Sequence, residues 1–91
     1  MRALRINRDL TIDEIETPME DWFGEGIMFD ATDIDDKHDV YFDDEGMLKA
    51  DTVVVRVAGT RVPLPAFVVG YKGEDTVAAV MSVEELRAMV T

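Results

Sequence analysis

Three apolar segments of strand length, crowded into the second half of the chain, constrain its fold more than any other feature. Thr52-Val53-Val54-Val55-Arg56-Val57-Ala58 is almost wholly β-branched or apolar, and such side chains suit a pleated surface. Ala66-Phe67-Val68-Val69-Gly70-Tyr71 reads as a buried strand, and Thr76-Val77-Ala78-Ala79-Val80 as a last one. Gly59-Thr60 and Lys72-Gly73-Glu74-Asp75 are turns. Arg61-Val62-Pro63-Leu64-Pro65 is extended, and its two prolines remove ladder donors and put it at an edge or bulge. Residues 53–58, 66–71 and 76–80 are expected to lie side by side. Ser82-Val83-Glu84-Glu85 then forms a capping box for a helix over 83–90, with Val83, Leu86 and either Met89 or Val90 on its apolar face. Arg87 sits where a cation suits the helix dipole.

The first half is less regular. Residues 2–16 read as a hairpin: Arg2 outward, Ala3 inward, Leu4 outward or at an edge, Asn7-Arg8-Asp9 turning, and Leu10 and Ile12 sharing a face. Thr17-Pro18-Met19-Glu20 has the order of an N-cap, a first-turn proline and a capping-box glutamate. It predicts a short helix near 18–23, with Met19, Trp22 and Phe23 on one face and glycines at 24 and 26 stopping it. So short a helix holds only if Trp22 or Phe23 docks on a sheet. Gly26-Ile27-Met28-Phe29 is a short apolar run, and Val40-Tyr41-Phe42 a strand. Residues 30–39 have little apolar content beyond Ile34 and read as an exposed acidic loop. Asp43-Asp44-Glu45-Gly46 reads as a turn with Gly46 at positive φ, opening a second hairpin into Met47 and Leu48. The expected fold class is α+β, a mainly antiparallel sheet with two short helices, in a single domain over residues 1–91.

The charge is as uneven as the patterning. The net charge is −11. Residues 1–8 hold three arginines and no acid, and residues 52–91 balance four acids with four bases. Residues 9–51 hold sixteen acids against Lys37 and Lys49. Within them stand Asp30, Asp33, Asp35, Asp36, Asp39, Asp43, Asp44 and Glu45, a concentration whose self-repulsion opposes folding. It is either a solubilising face or a surface that attracts a basic partner. Direct binding to nucleic acid is disfavoured, because phosphates would be repelled and no basic stripe exists. No cysteine is present, which excludes disulfides, thiolate metal sites and cysteine nucleophiles. No apolar run approaches the roughly 18 residues of a membrane span, and no apolar core follows the N-terminal arginines as in a secretory signal, so a cytoplasmic location is expected.

The candidate chemistries are weak. A calcium loop needs oxygens at its first, third and fifth positions and glycine at its sixth. Starting at Asp33, the fifth and sixth are Lys37 and His38; starting at Asp39, the third and sixth are Tyr41 and Asp44. His38 is the only histidine and reads as a solvated loop residue; Ser82 is the only serine and is better explained as a cap. Gly24-Glu25-Gly26 is no phosphate cradle, since a third glycine is missing and the flanks are acidic. No cofactor or metal is expected. Trp22 is either a core anchor for its short helix or an exposed anchor for a partner.

Several segments carry a resemblance in order. They are Met1-Arg2-Ala3-Leu4-Arg5-Ile6, Val40-Tyr41-Phe42-Asp43-Asp44-Glu45-Gly46, Leu64-Pro65-Ala66-Phe67-Val68-Val69-Gly70 and Ser82-Val83-Glu84-Glu85-Leu86. Together they resemble the domain-of-unknown-function family 3846, small proteins of phages, plasmids and actinobacteria. The resemblance implies an accessory protein of a mobile element and supplies no catalytic residue. The function expected is binding to a basic protein surface through the eight acids, with DNA mimicry against a nucleic-acid-binding protein as its most specific form. The competing expectation is a structural module that pairs through a sheet edge as a homodimer, its acidity serving solubility. A small hydrolase or metal-dependent enzyme is a third class.

Overall fold

Residues 66–72 form the strand on which the sheet is built in the computed structural model, which describes residues 1–91. The elements in chain order are β1 (Ala3–Ile6), β2 (Ile12–Ile15), β3 (Phe29–Asp33), β4 (His38–Asp43), β5 (Val54–Val57), β6 (Thr60–Pro63), β7 (Ala66–Lys72), β8 (Asp75–Val77) and α1 (Val83–Met89). Single 3-10 turns occupy Met19–Asp21 and Gly46–Leu48. The fold is α+β and every strand pair is antiparallel. A six-stranded sheet runs β2-β1-β7-β4-β3, with β8 also on β7. One edge of β7 takes β1 along its first half and β8 along its second, and the other edge takes β4. β5 and β6 make a separate two-stranded sheet.

Both faces of the large sheet are covered. The alternate residues Leu4, Ile6, Val40, Ala66 and Val68 meet Val55, Val57 and Val62 of the β5–β6 hairpin and Leu86 of α1. Ala3, Phe67 and Val69 point the other way and are covered by Trp22, with Met19 and Phe23 beside it. This explains why Leu4, expected outward, is buried: β1 is an interior strand with cover on both sides. Residues 53–58 do not lie beside β7, because they pair with β6 and pack across the core as a second layer. The last strand is shorter than 76–80, and the chain turns away after Val77.

Two glycines allow close approaches. A Cβ on Gly70 would sit 2.7 Å from the Ala78 carbonyl oxygen and 2.9 Å from Val77 Cγ2, so only glycine lets residues 77–78 cross β7 there. A Cβ on Gly46 would lie 2.6 Å from Pro63 Cγ. That contact, and not the positive φ expected, is what Gly46 provides; the chain leaves it in a 3-10 turn and no second hairpin forms into Met47 and Leu48.

The two expected helices differ in outcome. At α1 the Ser82 hydroxyl accepts from Glu85 N–H at 3.0 Å and the Glu85 carboxylate accepts from Ser82 N–H at 3.0 Å. Near 18–23 there is one 3-10 turn, with Pro18 in the cap position and no side chain capping it. The Thr17 carbonyl instead accepts from the Trp22 indole N–H at 2.8 Å. Trp22 is 7% exposed and stacks on Phe67 with ring centroids 4.8 Å apart. Docking of Trp22 therefore holds this segment, and Trp22 is not an exposed anchor.

Candidate functional site

The acidic stretch is a hairpin, not a loop. β3 and β4 pair from Phe29↔Asp43 to Asp33↔Asp39, and Ile34 to Lys37 make the connection. The turn is ordered by its own acids: Asp35 Oδ1 accepts from Lys37 N–H at 2.8 Å, an Asx-type bond. β7 braces it from the side, where Tyr71 N–H donates to the Lys37 carbonyl at 2.9 Å and the Tyr71 hydroxyl donates to the Asp35 carbonyl at 3.2 Å. The strand begins at Phe29, not within 26–28.

His38 is 3% exposed, against the solvated position expected for it. Its Nε2 accepts from Val80 N–H at 3.1 Å and Met81 N–H at 3.3 Å. An acceptor nitrogen carries no proton, so the ring proton sits on Nδ1 and is donated to Asp35, 3.0 Å away. The close crossing at Gly70 brings residues 80–81 within reach of the ring. Arg2 pins the same segment from the other side, with its guanidinium donating to the Ala79 and Met81 carbonyls at 2.9 and 2.8 Å. Asp35 and His38 have the contact of a catalytic pair, but Nε2, the atom that would take a proton from a nucleophile, is filled by two backbone donors. The hydroxyl of nearby Ser82 is spent on its cap. No three histidine or carboxylate side chains converge to hold a cation.

The eight acids separate into groups. Asp33, Asp35, Asp36 and Asp39 gather at the turn end of the hairpin, while Asp43, Asp44 and Glu45 lie at its far end, roughly 13 Å along β4. Asp30 points to the opposite face from Asp33, being an odd number of residues away. Two of the eight are spent internally. Burial pushes Asp35 up, but the Lys37 amide and the His38 ring outweigh it and hold the carboxyl below its ordinary value. At the far end the Lys49 ammonium, 2.6 Å away, opposes burial and lowers Asp43. Asp39 is the reverse case. Burial, then the neighbouring Asp33 carboxyl directly across the ladder, pushes it up to about 6. One Asp39 oxygen is buried with no hydrogen-bond partner. Burial and the charges of Asp33, Asp39, Asp36 and Asp35 also raise the Tyr71 hydroxyl. Asp30, Asp33, Asp36, Asp44 and Glu45 are exposed and have no ion-pair partner.

The acids of β2, and Glu16 just after it, behave differently. Asp13 is paired with Arg5 at 3.2 Å, Glu14 with Arg2 at 2.6 Å, and Glu16 with the N-terminal amine at 3.1 Å. The three arginines at the start of the chain thus include two that neutralise the neighbouring strand, whereas Asp30, Asp33 and Asp36 of the β3–β4 hairpin have no such partner.

A second feature is a cleft of about 340 Å³ between the Trp22–Ile27 segment, the Lys49–Thr52 segment and Pro63–Pro65. Arg8 lies on its rim and donates to the Asp51 carbonyl, tying the β1–β2 turn across it. Its walls come from four distant parts of the chain, and no local pattern in the sequence announces it. No family model, curated protein or solved structure matches this chain.

Proposed function

We propose that this protein is a binding module that offers the acidic β3–β4 hairpin to a basic surface of another protein. The observation that carries the reading is the contrast between the two ends of the sheet. Acids on β2 are matched by cations of the same chain, whereas Asp30, Asp33 and Asp36 on the hairpin have none. A fold stabilised by its own ion pairs at one edge and left repulsive at the other is suited to a cationic partner that completes it. The finer form of the proposal is competition with DNA for a nucleic-acid-binding site. The resemblance of several segments to small phage and actinobacterial proteins favours an accessory role in a mobile element.

The test uses immobilised protein and host lysate at low and high salt, with Asp30→Asn/Asp33→Asn/Asp36→Asn as the comparison. Asp35 is left untouched because it holds His38. The reading expects a basic protein retained at low salt, released at high salt and lost with the triple variant. Excess duplex DNA releases that protein if DNA mimicry operates. Equal retention by parent and variant at both salt concentrations would return the acids to a solubilising role.

A further inference from the structure

We infer that the free edge of β3 is where the partner docks, by adding an extended lysine- or arginine-bearing segment to the sheet as a further strand; this rests on the reading above and names its mode. β3 ends the sheet, with no strand beyond it. The phase of its ladder is fixed at both ends: Asp44 N–H donates to the Met28 carbonyl at 3.2 Å, and Ile34 N–H to the His38 carbonyl at 3.0 Å. Even-numbered residues therefore turn their backbone groups toward β4, and Phe29, Ala31 and Asp33 turn theirs away. The Ala31 N–H meets only the Asp30 side chain, at 2.8 Å. The Phe29 and Asp33 N–H groups, the Ala31 N–H held only by that local side chain, and three C=O groups thus form a row about 14 Å long that no strand occupies.

Folded proteins blunt such a row with short strands, charged side chains, proline, a bulge or a covering element. β3 is Phe-Asp-Ala-Thr-Asp, so its guard is negative charge alone, which turns away acidic strands and leaves a cationic one admissible. The opposite edge, β2, has its acids paired and α1 lying against it. The side chains of β3 then select the occupant. Asp33 stands on one face of the edge and Asp30 on the other, so an added strand meets a carboxylate whichever way its side chains alternate. Met28 and Phe29, 71% and 45% exposed, offer an apolar contact at the start of the row. A second copy is disfavoured, because joining two β3 edges brings four uncompensated carboxylates into one narrow contact.

The probe is a blocked seven-residue peptide alternating lysine and threonine, with a control in which every backbone nitrogen is methylated, so that neither edge can donate. Binding is read by calorimetry, and backbone protection by hydrogen exchange at single amides. The parent should bind the unmodified peptide, and the amides of Phe29, Ala31 and Asp33 should gain about tenfold or more protection. Ala31→Pro removes an outward donor without touching the ladder to β4, as edge strands tolerate. It should weaken binding about tenfold or more, and the methylated peptide should bind as poorly to the parent. The methylated control keeps the test decisive if Ala31→Pro does not fold. Strand addition is overturned, with the acidic-surface reading left standing, if both peptides bind the parent equally and Asp30→Asn/Asp33→Asn weakens both. If the parent binds neither peptide even at low salt, both proposals fall.

Discussion

His38→Ala would strand the Val80 and Met81 amides and leave a cavity where the ring stood. The expected loss is about 3 kcal/mol, from one buried side chain and two unsatisfied donors, measured as the shift of the urea midpoint. Asp35→Asn should cost less, since an amide still bonds the ring. The neighbouring Asp39 makes stability depend on pH in the opposite sense from an ordinary paired carboxylate. Its folded value of about 6 lies above its value in an unfolded chain. Its contribution is therefore complete below about 4 and is lost as the pH rises through 6. Asp35, held low, contributes above about 4 and loses its contribution as the pH falls through its depressed folded value. Between these limits the parent should lose on the order of 1 kcal/mol as pH rises, after allowance for the partial exposure of Asp39, and Asp39→Asn should flatten that slope in denaturation curves taken across it. Neither role was legible in the sequence. A lone histidine among aspartates looks solvated, and its burial depends on Gly70, thirty-two positions away, permitting the 77–81 segment to cross.

The secondary-structure elements were legible where local chemistry decided them. The capping box at Ser82 satisfies orphan amides of the first helical turn, and α1 forms where the signal put it. Ser82→Ala should cost about 0.5–2 kcal/mol. Thr17→Ala, at the sequence's other cap signal, should cost almost nothing, because the Thr17 contact to Trp22 is made by its backbone carbonyl. The pair, compared by thermal denaturation, separates caps from docking. At 17–23 the stacking of Trp22 on Phe67 overrides the pattern, and the chain makes one 3-10 turn to reach it. The β3–β4 hairpin was illegible for a related reason. Its strands take their order from β7, and its acids hide the alternation that would mark Phe29 to Asp33 as a strand. The β5–β6 hairpin was readable from Gly59 and the β-branched run, but no sequence pattern says which layer a hairpin will join.

At the scale of the whole molecule, one end of the sheet repels itself and the other does not. Monovalent salt should therefore raise the melting temperature, and Asp30→Asn/Asp33→Asn/Asp36→Asn should raise it at low salt and reduce the salt dependence, as scanning calorimetry would show. The same architecture governs how the chain comes together. β1, β4 and β8 all pair with β7, while β2 and β3 join only through β1 and β4. The pairing Leu4↔Val68 spans most of the sequence, and long-range pairings of this kind slow folding toward milliseconds or longer. On a ribosome, the first sixty-five residues emerge before the strand that would unite them. They can form only isolated two-stranded hairpins, which are marginal in water. A chain stopped at residue 65 should show no slowly exchanging amides. The newborn polypeptide must wait with its apolar stripes open until β7 arrives, beside a central stretch whose like charges repel those of an identical chain.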